Sequence, residues 1–182
     1  MSAIASEFKS IERLAAVSAR DLDGLAALLI DCVGGGASVS FMHPLSVQKA
    51  HGFWLEVARD VALGKRLLMV ARDLGPGADP GAIVGTVHLV LEQPENQPHR
   101  ADVSKMLVHP RARRRGLGEA LLRAAERAAK DCGKSLLMLD TASADAERLY
   151  ARLGWRRVGV VPGFALLPQG GLCDTTFFYR EL

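Results

Sequence analysis

An apolar run, a segment of four arginines closed by two glycines, and a long amphipathic stretch follow one another between Val103 and Gly133. No other part of the chain restricts the fold as much. Residues 103–108 read as a strand, residues 110–118 as a tight turn and residues 117–132 as a helix. Along that helix Leu117, Ala120, Leu121, Ala124, Ala125 and Ala128 recur at i, i+3, i+4 spacing, which predicts one buried stripe. Glu119, Arg123, Glu126, Arg127 and Lys130 fall opposite, where Glu119 with Arg123 and Glu126 with Lys130 have the favourable order for exposed i, i+4 pairs. Gly133 follows the last periodic residue, where a helix commonly ends on a left-handed residue.

The turn carries the chemistry. Gly116 and Gly118 remove side chains where the helix starts, leaving backbone N–H groups bare at the positive end of the helix dipole. Arg113, Arg114 and Arg115 concentrate mobile positive charge beside them, so the segment suits a phosphate or pyrophosphate. The competing reading is a basic surface turn that needs glycine only for its geometry. Neither G-x-x-x-x-G-K-[ST] nor G-x-G-x-x-G occurs, which excludes the two commonest nucleotide cradles, and the triplet 34–36 of glycines does not follow a strand.

The rest of the chain reads as alternating β and α elements. A first strand is expected over 11–16, then a helix capped by Ser18 with Asp21 as the return partner and Leu22, Leu25, Ala26, Leu29 and Val33 inward. Ser46 caps a second helix with Val47, Ala50, Trp54, Val57, Ala58 and Val61 inward and Gly64 as its stop. Strands over 66–72 and 83–91 flank a Gly/Pro turn at 75–81, and a polar loop over 93–99 leads to the central strand, so both connections imply antiparallel pairing. Residues 136–139 are continuously apolar, as in a strand buried on both faces, and the strand–helix–strand crossover makes them parallel to the central strand. A short helix carrying Ala146, Leu149, Tyr150 and Leu153, then β segments at 155–161 and 175–180 separated by a long loop, complete the chain. The pattern predicts an α/β fold, with helices on both faces of a mixed sheet, in one domain over 1–182.

At 182 residues the chain buries roughly 70% of its unfolded surface. A net charge of +3 with acidic residues spread throughout gives no broad basic face, and no aromatics interleave the arginines, so nucleic acid is not the expected partner. No apolar run reaches the roughly 20 residues of a membrane span, and Met1 to Ser10 lacks the regions of a signal peptide. Cys32, Cys132 and Cys173 are odd in number without metal-site spacing, which fits reduced thiols and a cytoplasmic location. His43, His51 and His99 show no ligand spacing, so no metal is expected.

Residues 113–118, R-x-x-G-x-G, resemble the acyl-CoA pyrophosphate loop of the GNAT N-acetyltransferase superfamily, and A-x-x-L-Y-x-x-L-G-W over 146–155 resembles a second segment of it. The resemblance implies a mostly antiparallel central sheet and acetyl-CoA as co-substrate. Arg113, Arg114, Arg115, Gly116, Leu117, Gly118 and Glu119 would hold the pyrophosphate, and Met106, Leu107 and Val108 the pantetheine arm through backbone groups of a splayed strand. Ser143 stands where many members have an Asn that contacts the CoA arm, with Ala146 beside it. Tyr150 would be the general acid for the departing thiolate, where position alone would make it a core tyrosine. No cysteine is placed for an acyl-enzyme, so the acceptor amine, expected to be a small molecule, would attack directly in a ternary complex. The enzyme would be a monomer or homodimer.

Residues 35–42, 139–141 and 157–164 further resemble the branch that contains tabtoxin resistance protein, which acetylates a β-lactam amino-acid toxin. Resistance to such a toxin is the role this implies. Asp140 matches an assigned catalytic residue there, as a base or as an orienting group; a turn or capping aspartate is an equal reading. Ser38, Phe41, Met42 and His88 are the acceptor-side candidates, with Trp54 read as core and His109 at the rim of the CoA site. A CoA-binding sensor without turnover and a protein or peptide N-acetyltransferase are the alternatives.

Overall fold

A computed structural model describes residues 11–73, 79, 82–91 and 93–182. The expected turn at 75–81 lies outside them except for Asp79. The chain runs β1 (Ile11–Leu14), α1 (Ala19–Gly34), α2 (Val47–Ala62), β2 (Arg66–Arg72), β3 (Ile83–Val90), β4 (Arg100–Val108), α3 (Leu117–Asp131), β5 (Leu136–Thr141), α4 (Ala144–Arg152), β6 (Arg156–Leu166) and β7 (Leu172–Glu181). One seven-stranded sheet has the order β1-β2-β3-β4-β5-β7-β6. Every described pairing is antiparallel except β4 with β5, which the α3 crossover makes parallel.

Two cores sandwich the sheet. On one face Leu25, Leu29 and Val33 of α1 and Ala50, Trp54 and Val57 of α2 pack against Leu68 and Val70 of β2. On the other, Leu117, Leu121, Leu122 and Ala125 of α3 meet Val84, Val87 and Leu89 of β3, with Tyr150, Leu153 and Trp155 extending the cluster past β5. Val47, expected inward, is 60% exposed because it opens α2, one turn before the helix reaches the sheet.

The capping box at α1 is present. The Ser18 hydroxyl accepts from the Asp21 N–H, and the Asp21 carboxylate accepts from the Ser18 N–H at 3.0 Å. The same carboxylate accepts from Arg72 Nη2 at 2.8 Å, which ties α1 to β2. Burial pushes the Asp21 pKa up, but the Ser18 and Arg72 hydrogen bonds outweigh it and hold the group below 3.8. A depressed carboxyl stabilises above its unfolded pKa and loses that contribution as pH falls through the folded value. Asp21→Ala is expected to cost about 2 kcal/mol at neutral pH, with the gap to wild type closing in acid denaturation below about pH 4.

The α3 stripe is rotated from the sequence reading. Leu117, Leu121, Leu122, Ala125, Ala128 and Ala129 are buried, whereas Ala120 is exposed and Ala124 half-buried. Glu126, expected on the solvated face, is 6% exposed. It accepts from Trp155 Nε1 at 2.9 Å and pairs with Arg180 at 3.2 Å and Arg123 at 3.2 Å, in place of the expected pair with Lys130. Three donors supply what a buried carboxylate needs, one from α3 itself, one from Trp155 just before β6 and one from β7.

The C-terminal connection also differs. β6 runs through the expected loop to Leu166, and only residues 167–171 connect it to β7. The Pro162-Gly163 pair is absorbed by an irregularity in register between Val161 and Ala165, with Gly163 at φ +59° and its N–H donating to Asp174. Since β6 is an edge strand, proline there breaks no ladder on its outer side.

Candidate active site

The site begins where β4 and β5 part. Their parallel register covers Arg100 to Asp102 against Leu136 to Met138 and then stops, although β4 continues to Val108 and β5 to Thr141. On its other side β4 remains paired with β3, Thr86 opposite Leu107 and Gly85 opposite Val108. The β5-facing backbone groups of residues 103–108 are therefore left for something else. A cavity of about 710 Å³ fills the gap, lined by Met106, Leu107 and Val108 on one wall and Leu139, Asp140 and Thr141 on the other.

At one end of the cavity stands the start of α3. Gly116 is its N-cap at φ +79°, a conformation that costs glycine little, and no side chain caps the helix. The N–H groups of Leu117, Gly118 and Glu119 precede the first intrahelical bond, from Ala120 N–H to the Gly116 carbonyl. All three residues line the cavity with Arg113 and Arg114. Gly118 serves a different purpose from Gly116: a Cβ there would meet Leu149 of α4 at 3.2 Å, so glycine lets α4 close the side of the cradle. Arg113 is anchored by donating from Nε to the Val108 carbonyl at 3.2 Å. Bare donors, a helix dipole and two arginines at one cavity end have the chemistry that an anion site requires.

Not every arginine takes part. Arg111 pairs with Asp73 at 3.2 Å, away from the cavity. Arg115 is exposed and lies outside the residues that line the cavity, whereas its neighbours Arg113 and Arg114 are among them. His109 also lies outside the lining; its Nε2 is 3.1 Å from Asp31 and its Nδ1 accepts from the Arg111 N–H.

Ser143 and Ala146 line the cavity from the α4 start, where the Ser143 hydroxyl caps the helix by accepting from the Ala146 N–H at 3.4 Å. Tyr150 lines it from the same helix while only 4% exposed, its ring held edge-on to Phe178 at 5.6 Å. Burial, helped by the charge of Asp140, pushes its pKa well above 10, so the phenol keeps its proton. Desolvation in the cleft wall likewise raises the Asp140 carboxyl above 3.8; Lys105 opposes this and Asp102 adds to it.

A second cavity of about 260 Å³ adjoins the first, and Ser38, Ser40, Asp140 and Ala142 line both. Phe41 and Met42 face this smaller space together with Phe164 and Leu166 of β6. His88 does not reach either cavity. It is 1% exposed, between Phe53 and Trp54, and neither ring nitrogen bonds to a described residue. Burial and the charges of Arg66 and Lys105 hold its pKa well below 6.5. His88 shares with Thr86 the face of β3 that α2 covers, and β3 is buried on both faces, so neither side of this strand opens to the cleft at that point. Trp54 is core, as expected, at 0% exposure.

Lys105 is among the cavity residues that sequence reasoning missed. Its signal was a lysine inside a run otherwise suited to a buried strand. It sits at φ +48°, where the β3–β4 register shifts between Thr86 and His88, and its ammonium donates to the Ser40 hydroxyl at 3.2 Å.

The comparisons agree with this geometry. Residues 46–155 match the model of the acetyltransferase (GNAT) family, and the chain belongs to that family. Its fold is similar to an N-acetyltransferase from Staphylococcus aureus Mu50, with a TM-score of 0.75 at 15% identity over 95% of this chain and 99% of that one. It is similar also to a ribosomal-protein-alanine N-acetyltransferase from Brucella melitensis (TM-score 0.74, 21% identity, 94% and 100% covered). A phosphinothricin acetyltransferase from Sinorhizobium meliloti, in complex with acetyl-CoA, gives a TM-score of 0.74 at 20% identity with 94% and 88% covered. Across these three the likeness is one of fold.

Proposed function

We propose that the chain, acting as one domain over 1–182, is an acetyl-CoA-dependent N-acetyltransferase for the amine of a small molecule, by direct attack in a ternary complex. The observation that carries this reading is the convergence of the uncapped α3 start, the unpaired edge of β4 and Tyr150 on a single cavity. Acetyl-CoA supplies the activated acyl group. Gly116, Leu117, Gly118 and Glu119, with Arg113 and Arg114, bind the pyrophosphate, and backbone groups of Met106, Leu107 and Val108 hold the pantetheine arm in the splay. Those donors also polarise the reacting carbonyl.

Two proton sites complete the arrangement. The Tyr150 Oη–H serves as hydrogen-bond donor to the departing sulfur. Its raised pKa guarantees the donor, and also makes complete proton release costly, so the phenol shares its proton while charge develops on sulfur. Asp140, at the junction of the two cavities, accepts the proton of the acceptor's ammonium, directly or through a water. The smaller cavity suits a compact, partly apolar acceptor. Stretches 35–42, 139–141 and 157–164 that resemble the tabtoxin-resistance branch contribute to its walls, which supports a detoxifying role toward an amino-acid or β-lactam toxin.

The test is thiol release from acetyl-CoA over a panel of amino acids and simple primary amines. Amine-dependent release with intersecting initial-rate lines is expected. Parallel lines would contradict the ternary complex, and release with none of the amines would contradict the small-amine reading.

A further inference from the structure

We propose that Lys105 sets acceptor specificity by binding a carboxylate on the acceptor, so that the preferred acceptors are amino acids rather than plain amines. This assignment rests on the acetyltransferase reading and deepens it. Lys105 and Ser40 are both non-glycine residues in left-handed backbone, at φ +48° and +74°, and they are joined side chain to side chain at 3.2 Å. Such strain persists only where the surroundings hold it, and a bulge is a device for re-aiming a side chain. Here it aims an ammonium into the cleft. Nζ also lies 5.6 Å from the Phe53 ring centroid. No carboxylate of a described residue lies within the 4.0 Å of an ion pair, so two of its three donors remain for a ligand.

The opposite wall supplies the other charge. Asp140 of β5 lines the same cavity as Lys105 of β4, and each charge feels the other's field. Among the described residues it is the one charged group lining the smaller cavity, whose remaining wall includes Phe41, Met42, Phe164 and Leu166. The other cations of the large cavity, among them Arg113 and Arg114, belong to the α3 and α4 side. A ligand seated between Lys105 and Asp140 is therefore matched when it presents a carboxylate to the first, an amine to the second and an apolar group to the aromatic wall. An α-amino acid with an aliphatic or aromatic side chain has that layout.

The experiment is calorimetric titration of the full chain saturated with CoA, using L-leucine, L-norleucine and L-phenylalanine against their primary amides. Wild type is expected to bind at least one acid about tenfold or more tightly than its amide, as befits a charge-assisted hydrogen bond. Lys105→Met should bring acid and amide within twofold of each other, and Lys105→Arg should restore part of the preference. Equal binding of acid and amide by wild type, equal weakening of both by Lys105→Met, or no acid binding at millimolar concentration would each overturn the assignment. Thiol release from acetyl-CoA separates the two readings. Selective binding without thiol release would overturn acetyl transfer and leave Lys105 as the carboxylate site. Turnover of carboxylate-free amines unchanged by Lys105→Met, with no preference for acids, would do the reverse.

Discussion

Tyr150→Phe is expected to lower kcat about a hundredfold or more, within the range assigned to one positioned proton donor. The affinity for acetyl-CoA should stay within twofold, because the anion site is built at the α3 start and on the β4 edge. The ring itself packs on Phe178 and Trp155, and phenylalanine keeps that packing, so thermal stability should change little. Single-turnover kinetics with isotope-labelled acetyl-CoA, alongside a binding titration, would separate the chemical step from affinity. A kcat within threefold of wild type would remove Tyr150 from the reaction and return it to the core.

Glu126→Ala is the substitution expected to cost most in stability, about 3 kcal/mol or more. It deletes the acceptor of the buried Trp155 indole N–H and takes the carboxylate from Arg180, whose side chain is mostly covered and keeps its bond to the Leu153 carbonyl. At this chain length that corresponds to roughly 6–12 °C in Tm. Glu126→Gln keeps an acceptor for Trp155 and should lose only part of that. A chemical-denaturation series would show the order wild type, Gln, Ala. If Ala matched wild type, the carboxylate would be incidental to the packing of α3 against the C-terminal strands.

The strand–turn–helix at the centre of the site was legible because each of its signals is local. The apolar run, the glycines and the helical period lie within one continuous segment, and the crossover rule alone makes β4 and β5 parallel. The capping box at Ser18 and the helix stops at Gly64 and Gly133, both at positive φ, were legible for the same reason. What escaped depends on residues far apart in sequence. Glu126 reads as a surface charge until Trp155 and Arg180 are brought to it. The reach of β6 depends on Thr175 and Cys173 of β7 pairing with Val161 and Ala165 across an irregular register. Of the acceptor-side candidates, Ser38, Phe41 and Met42 lie at cavity walls, while His88 is packed beneath Phe53 and Trp54, a burial that depends on how α2 covers the sheet. Lys105 was overlooked because only the bulge turns it into the cavity.

The central claim is that the α3 start and the β4 edge bind acetyl-CoA, and the most direct measurement is a calorimetric titration with acetyl-CoA of wild type and Arg114→Glu. Arg114 is exposed at the cavity wall, so the variant reverses charge at the anion site while leaving the core intact. One-to-one binding in the micromolar range is predicted for wild type, weakened about tenfold or more in the variant and less so as salt is raised. No binding to wild type at millimolar acetyl-CoA, or equal binding by both proteins, would contradict the account and leave the arginines as a basic surface turn.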